Sequence, residues 1–142
     1  MADNLASVFE GNLLDNIINS SNSAAFTKPT ALFVGLCTAA PVGTNAAEYS
    51  GADASYSRVV MTFGVATTGP SVASASGPSA AVTFPMCTTS WGTINGYAVF
   101  KASSGSTGAS QYLWWGVVSP TVAVTANDTV SFSPSAMTLT MG

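Results

Sequence analysis

Apolar residues near the start of the chain recur every four positions, at Leu5, Phe9, Leu13 and Ile17. This spacing places them on one stripe of an α-helix. The pattern therefore predicts a helix over about residues 4–19. A helix of this length is marginal alone, so we expect its stripe to pack either on its own domain or on a neighbouring subunit.

After residue 28 the apolar period changes from that of a helix to that of strands. Residues 30–38 are apolar at nearly every position, which indicates a strand buried on both faces. Further strands are predicted at residues 56–64, 80–85, 91–102, 111–119, 121–125, 129–133 and 136–141. The chain is thus predicted to be mainly β: an antiparallel β-sandwich or jelly-roll-like barrel of about seven or eight strands with one N-terminal α-helix.

Two stretches rich in Gly, Ala, Pro and Ser, residues 39–55 and 66–79, are predicted to be loops. The first is longer than an ordinary connection, so we expect it to be functional or ordered by contacts. Glu48 and Asp53 lie in it, and this spacing favours a solvated loop tip over a cation site or an acid pair. Gly96 is expected to mark a bend in the strand at residues 91–102.

The composition of the chain limits the classes of function that it can have. The 142 residues are 47% hydrophobic and only 6% charged, with a net charge of −3. The length fits a single domain spanning residues 1–142, with the sandwich over about 28–142. Scarce Lys and Arg argue against nucleic acid and anionic membranes. No secretory signal or apolar run of membrane-spanning length is recognisable, so we expect the chain to be made in a cytoplasm.

Little in the chain suits catalysis or metal binding. There is no histidine, which excludes a Ser/His/Asp triad, and we expect no enzyme activity, no cofactor and no metal. Cys37 and Cys87 are too few for a disulfide framework and are expected to be buried thiols. Arg58, the single arginine, is expected to pair with an acid or with backbone carbonyls at a sheet edge.

The aromatic pair Trp114–Trp115 is one candidate for a binding surface. Adjacent strand residues point to opposite faces, so one ring is expected in the core and the other outward. The outward ring would cover an interface or, with Tyr112 and Trp91, form a sugar-stacking platform.

The order of motifs resembles a known family. It comprises ALFVGLCTAAP at residues 31–41, Tyr-x-Arg at 56–58, AAVTFP at 80–85, WGTI at 91–94 and a closing NDTVSFSPSAMTLTM. This order is similar to that of small tailed-bacteriophage virion proteins, often labelled tail fibre proteins, some of which serve as capsid cement (decoration) proteins. The resemblance covers nearly the whole chain and brings no catalytic residues.

The resemblance implies a cement protein on the capsid exterior, assembled in the host cytoplasm. Its expected partners are the major capsid protein and itself, as a homotrimer. Two alternatives remain open: a tail fibre or tail-associated structural protein or adhesin, and a carbohydrate-binding module. The candidate interface residues are Leu5, Phe9, Leu13, Ile17, Glu48, Tyr49, Trp114 and Trp115.

Overall fold

The protein is an antiparallel β-structure with one short helix, seen in a computed structural model that describes residues 5–18, 29–65, 67–68, 73–108 and 110–141. The helix α1 spans Ser7–Ile18. The nine strands within the described residues are β1 (Leu32–Cys37), β2 (Val59–Met61), β3 (Thr67–Thr68), β4 (Ala73–Gly77), β5 (Val82–Thr83), β6 (Gly92–Phe100), β7 (Tyr112–Val124), β8 (Ser131–Phe132) and β9 (Met137–Met141).

A four-stranded sheet in the order β2-β1-β6-β7 forms the centre of the molecule. All its pairs are antiparallel, with Val34 opposite Val99 and Val99 opposite Trp114. A three-stranded sheet, β3-β4-β9, and a two-stranded sheet, β5-β8, complete the described strands, which form no closed barrel. The predicted antiparallel β-sandwich class is therefore confirmed.

The two faces of the central sheet bury different clusters. Val34 and Val99 lie on one face, in a large core cluster that Phe84 and Met137 join from outside the central sheet. The opposite face carries a smaller cluster around Ala98. Alternation of side chains along each strand explains this division.

The helix begins later than the sequence pattern indicates. Leu5 forms an isolated antiparallel bridge with Trp114, and the Ala6 N–H donates to the Leu113 carbonyl over 2.8 Å. This extended pairing with β7 delays the helix until Ser7, whose hydroxyl and N–H both donate to the Gly43 carbonyl. The chain before the helix is thereby fixed to the central sheet.

Several element boundaries differ from the prediction. The predicted loop at residues 66–79 contains β3 and β4, and β4 pairs with β9 over five residues. Residues 111–119 and 121–125 contribute to a single strand, β7. The strands predicted at residues 129–133 and 136–141 correspond to β8 and β9, which lie in different sheets, since β8 pairs with β5 and β9 with β4. At Gly96, where a bend is expected, the structure has a β-bulge-like irregularity: the pairing of β6 with β7 shifts register between Ile94 and Gly96.

Candidate functional site

A buried ion pair joins the long loop after β1 to the segment before β2. The Arg58 Nη2 donates to Glu48 Oε2 over 2.6 Å, and Nε lies 2.9 and 3.0 Å from the two carboxylate oxygens. Their side chains are only 3% and 6% exposed. This two-pronged geometry is the strong form of a carboxylate–guanidinium contact.

The Arg58 guanidinium also holds the β6–β7 connection. It donates to the carbonyls of Ala102 and Gly105, each over 3.0 Å, and lies 3.5 Å from the Phe100 ring centroid. Contact with an aromatic face stabilises a cation that has lost its hydration. One side chain therefore ties together the loop of Glu48, the start of β2 and the connection after β6.

Tyr56 extends this network to β1. Its hydroxyl donates to Glu48 Oε1 and accepts from the Leu36 N–H, each over 2.9 Å. Burial, with the Glu48 carboxylate beside it, raises the pKa of Tyr56 well above its usual range. The approach is so close that a Cβ on Gly35 would lie 2.5 Å from the Glu48 carboxylate. Glycine at position 35 leaves room for the ion pair.

A second buried carboxylate, Asp53, fixes the same loop to the segment before β6. Its oxygens accept from the Ser55 N–H and hydroxyl, the Thr88 N–H and hydroxyl, the Thr89 N–H and the Trp91 indole N–H, over 2.7–3.0 Å. Burial opposes ionisation, but these hydrogen bonds outweigh it and hold the pKa of Asp53 well below its usual range. Asp53 is therefore a charged anchor.

The expectation of a solvated loop tip at Glu48 and Asp53 is wrong, since both carboxylates are buried and fully engaged. The expectation for Arg58 is confirmed in both its forms, because the guanidinium binds an acid and backbone carbonyls. Burial of the loop acids depends on tertiary contacts that their spacing does not show. One local sign existed: an Asp followed two residues later by a Ser is typical of an Asx-turn.

A pocket of about 240 Å³ opens between the two loops that Arg58 joins. Its walls are Tyr49, Tyr56 and Ser57 on one side and Ser103–Gly105 on the other, above the ion pair. Tyr49 is half-buried and packs edge-on against Tyr56, with ring centroids 5.0 Å apart. Glu48 and Tyr49, two of the predicted interface residues, thus belong to one site.

The helix candidates lie mainly against their own domain. Leu5 is buried in the large cluster, and Phe9 packs half-buried against both clusters. Leu13 is also half-buried, and Ile17 lies within α1 although its side chain is outside the described part. Of the two alternatives for the helix stripe, packing on its own domain is the one seen for Leu5 and Phe9. Contact of this stripe with a neighbouring subunit stays a prediction.

The tryptophans do not form an outward platform. Trp114 is 6% exposed in the core, and Trp115 is half-buried on the opposite face. Both indole N–H groups are enclosed without a hydrogen-bond partner. Trp91 and Tyr112 are fully buried. The prediction of opposite faces is confirmed, whereas the sugar-stacking platform built on these rings is wrong.

Trp114 also lines an apolar cavity of about 540 Å³, which lies beside Leu32, Met61 and Phe63. The Phe63 ring packs edge-on against Trp114, with centroids 4.9 Å apart. None of the described residues that line this cavity is charged. It therefore offers apolar contact without the paired charges of the Arg58 site.

Both cysteines are buried free thiols, as expected. The Cys87 thiol donates to the Thr125 carbonyl over 2.7 Å, while burial, with Glu48 nearby, raises the pKa of Cys37 above its usual range. Both thiols are buried, whereas reactive thiols lie in partly exposed sites. No described helix is long and apolar enough to cross a membrane.

Together these features define a class of protein: an antiparallel β-sandwich whose buried charges hold surface loops in fixed positions. The chain belongs to the family described as podophage GP4 fiber I protein gp80, whose model matches residues 4–140. The expected kinship with bacteriophage virion proteins is confirmed at that level. No curated protein matches the chain at a significant level.

Proposed function

We propose that the chain is a fibre-associated structural protein of a podophage virion. The observation that carries this proposal is the family match, which extends over residues 4–140 and so covers both the helix and the sandwich. A match of that extent makes the whole fold, and not one motif, common to the family. The sequence analysis favoured a structural role on the capsid. The family match instead favours a structural role in the fibre.

The surface of the molecule supports a role in assembly. Three of its charged side chains, Glu48, Asp53 and Arg58, are buried. The large apolar side chains exposed among the described residues are Val8, Leu14, Val42, Val60, Val65, Met86, Val117 and Val122. Apolar surface with few charges can be covered by another protein without desolvating ions.

Self-association belongs to the same proposal, as a homotrimer that presents this surface to its neighbours. Light scattering coupled to size-exclusion chromatography gives the mass in solution directly. A mass of three chains supports the trimer. A single-chain mass, unchanged on raising the concentration, contradicts it.

The capsid cement role is the competing function. It requires contact with the major capsid protein and many copies across the shell, whereas a fibre component is needed in few copies at the tail. Binding only the assembled shell would stabilise that shell by mass action. The charge-poor surface suits both roles, and the family description favours the fibre.

Quantitative mass spectrometry of purified virions separates the two. The copy number of this chain is measured against the major capsid protein, and immunogold labelling gives its position on the particle. A handful of copies at the tail supports the fibre proposal. A ratio near one, or a few tenths, with label over the head supports cement instead, and absence from virions contradicts both roles.

A further inference from the structure

The pocket above the Arg58–Glu48 ion pair has the features of a site for a small polar molecule. It measures about 240 Å³ and is open to solvent between the loop at residues 48–58 and the β6–β7 connection. Tyr49 and Tyr56 provide aromatic surface on one wall. Ligand sites commonly combine such surface with a few well-placed polar groups.

Three serine hydroxyls at the pocket are uncommitted. Ser57, Ser103 and Ser104 are exposed, and their hydroxyls make no hydrogen bond to any described residue. Hydroxyls nearby are used differently: those of Ser55 and Thr88 bind Asp53. The three serine hydroxyls at the pocket are therefore available to a ligand, whereas the hydroxyls of Ser55 and Thr88 are occupied by hydrogen bonds to Asp53.

The charges beneath the pocket are already paired with each other, which favours an uncharged ligand. The Glu48 carboxylate already accepts from Tyr56 and Arg58, and Arg58 donates to Glu48 and to backbone carbonyls. Opposite charges paired at 2.6 Å present no net charge to a molecule above them. Aromatic surface, free hydroxyls and zero net charge together suit a neutral, hydroxylated ligand.

Both walls are held rigidly, which reduces the ordering required on binding. Arg58 fixes the β6–β7 connection through the Ala102 and Gly105 carbonyls, and Asp53 anchors the opposite loop to Trp91. Preorganisation of this kind improves affinity because little conformational entropy is lost. We propose that the pocket binds one neutral sugar residue, stacked near Tyr49 and hydrogen-bonded by Ser57, Ser103 and Ser104. This goes beyond the structural role proposed above and does not depend on it.

Saturation-transfer difference NMR with a panel of neutral hexoses and N-acetylhexosamines tests the site on the intact chain. A pocket for one sugar is expected to bind with a Kd on the order of millimolar. Ser104→Phe blocks the pocket without touching the ion pair and should abolish transfer. Ser133→Phe, at an exposed serine distant in the chain, is the matched control and should retain it. Near-UV circular dichroism confirms that both variants are folded.

A second set of variants tests the serine hydroxyls separately from the open volume of the pocket. The double variant Ser103→Ala, Ser104→Ala leaves the pocket open and should raise Kd roughly tenfold or more, the loss of one or two hydrogen bonds. Trp115→Phe should leave binding unchanged, since Trp115 lies outside the pocket. Absence of transfer to every panel member, or equal transfer with Ser104→Phe, overturns the proposal. Neither result alters the copy number or the position measured in virions.

Discussion

At the scale of single residues, three of the nine charged side chains hold loops in place from inside the fold. Glu48, Arg58 and Asp53 are all in or next to the loop after β1, and each is buried. Burying a charge is unfavourable unless it is paired or hydrogen-bonded. The Arg58–Glu48 ion pair and the hydrogen-bonded Asp53 carboxylate both meet that condition. Removing one partner should therefore harm the fold more than an ordinary surface change does.

Glu48→Gln is expected to lower the free energy of unfolding by about 3–5 kcal/mol, because Arg58 is left buried without its counter-charge. Urea denaturation followed by tryptophan fluorescence measures the change. Glu10→Gln, at an exposed acid in the first turn of α1, should change it by less than about 1 kcal/mol. Equal effects of the two substitutions would contradict a structural role for the ion pair.

Asp53→Asn is expected to destabilise the protein at neutral pH and to alter its acid sensitivity. The pKa of Asp53 is lower when folded than when unfolded, so its contribution is present above the unfolded value of about 3.9 and is lost as pH falls through the folded value. The difference in unfolding free energy between wild type and variant should therefore be constant above about pH 5 and shrink below about pH 4. Urea midpoints from pH 2 to 7 measure it. A difference that persists unchanged at pH 2 would show that Asp53 acts by shape and not by charge.

At the scale of elements, the helix α1 and the strand β4 show how tertiary contacts set local structure. The stripe at Leu5, Phe9 and Leu13 was enough to predict α1, but the pairing of Leu5 with Trp114 that delays its start joins distant parts of the chain. Likewise β4, with the sequence ASASG, has low strand propensity and is a strand because β9 pairs with it. An element with a long apolar repeat, such as α1, could therefore be predicted from the sequence. A strand that forms only because another strand pairs with it, such as β4, could not.

The same limit applies to the site. The single arginine, Arg58, between Tyr56 and Val59 in a predicted strand, was correctly expected to pair with an acid or with carbonyls, since a buried guanidinium must satisfy its donors. The burial of Asp53 depends on Thr88 and Trp91, which lie more than 30 positions along the chain. The local Asx-turn pattern of Asp53 and Ser55 does not contain these distant contacts.

Phe9→Ala should lower the unfolding free energy of the isolated chain by about 1–2 kcal/mol, less than for a fully buried ring because Phe9 is half-buried. Leu14→Ala, at a helix residue that is 57% exposed, should change it by under about 0.5 kcal/mol. Thermal unfolding of the two variants compares them. If Phe9→Ala is also neutral, the helix relies on a neighbouring subunit and not on its own domain.

Gly96→Ala and Gly11→Ala are expected to have opposite effects. A Cβ at Gly96 would lie 2.6 Å from the Gly116 carbonyl oxygen, so the bulge must shift, at a cost of about 1–3 kcal/mol. A Cβ at Gly11 meets nothing within 4 Å, and alanine in a helix is favoured over glycine by about 0.5–1 kcal/mol. Denaturant midpoints for both variants test the pair. A stabilising Gly96→Ala would show that the close contact relaxes freely.

At the scale of the whole molecule, lowered carboxyl pKa values shift the charge balance of the folded state. Hydrogen bonds lower the pKa of Asp128, as they do that of Asp53, so both stay ionised in mild acid when the chain is folded. The sequence alone gives an isoelectric point of about 4.2. Native isoelectric focusing should therefore give a value below that of the urea-denatured chain. Coincident values would contradict the two lowered pKa values together.

The bridge between Leu5 and Trp114, together with Met137 in the large core cluster, has a consequence for synthesis. The core takes residues from near both ends of the described chain, so it cannot close while the ribosome still holds the later strands. Until Met137 has emerged, the cluster that contains Phe84 and Trp91 lacks one of its buried members. Nascent chains arrested before β9 should thus lack part of this core and should require chaperones to stay out of aggregates.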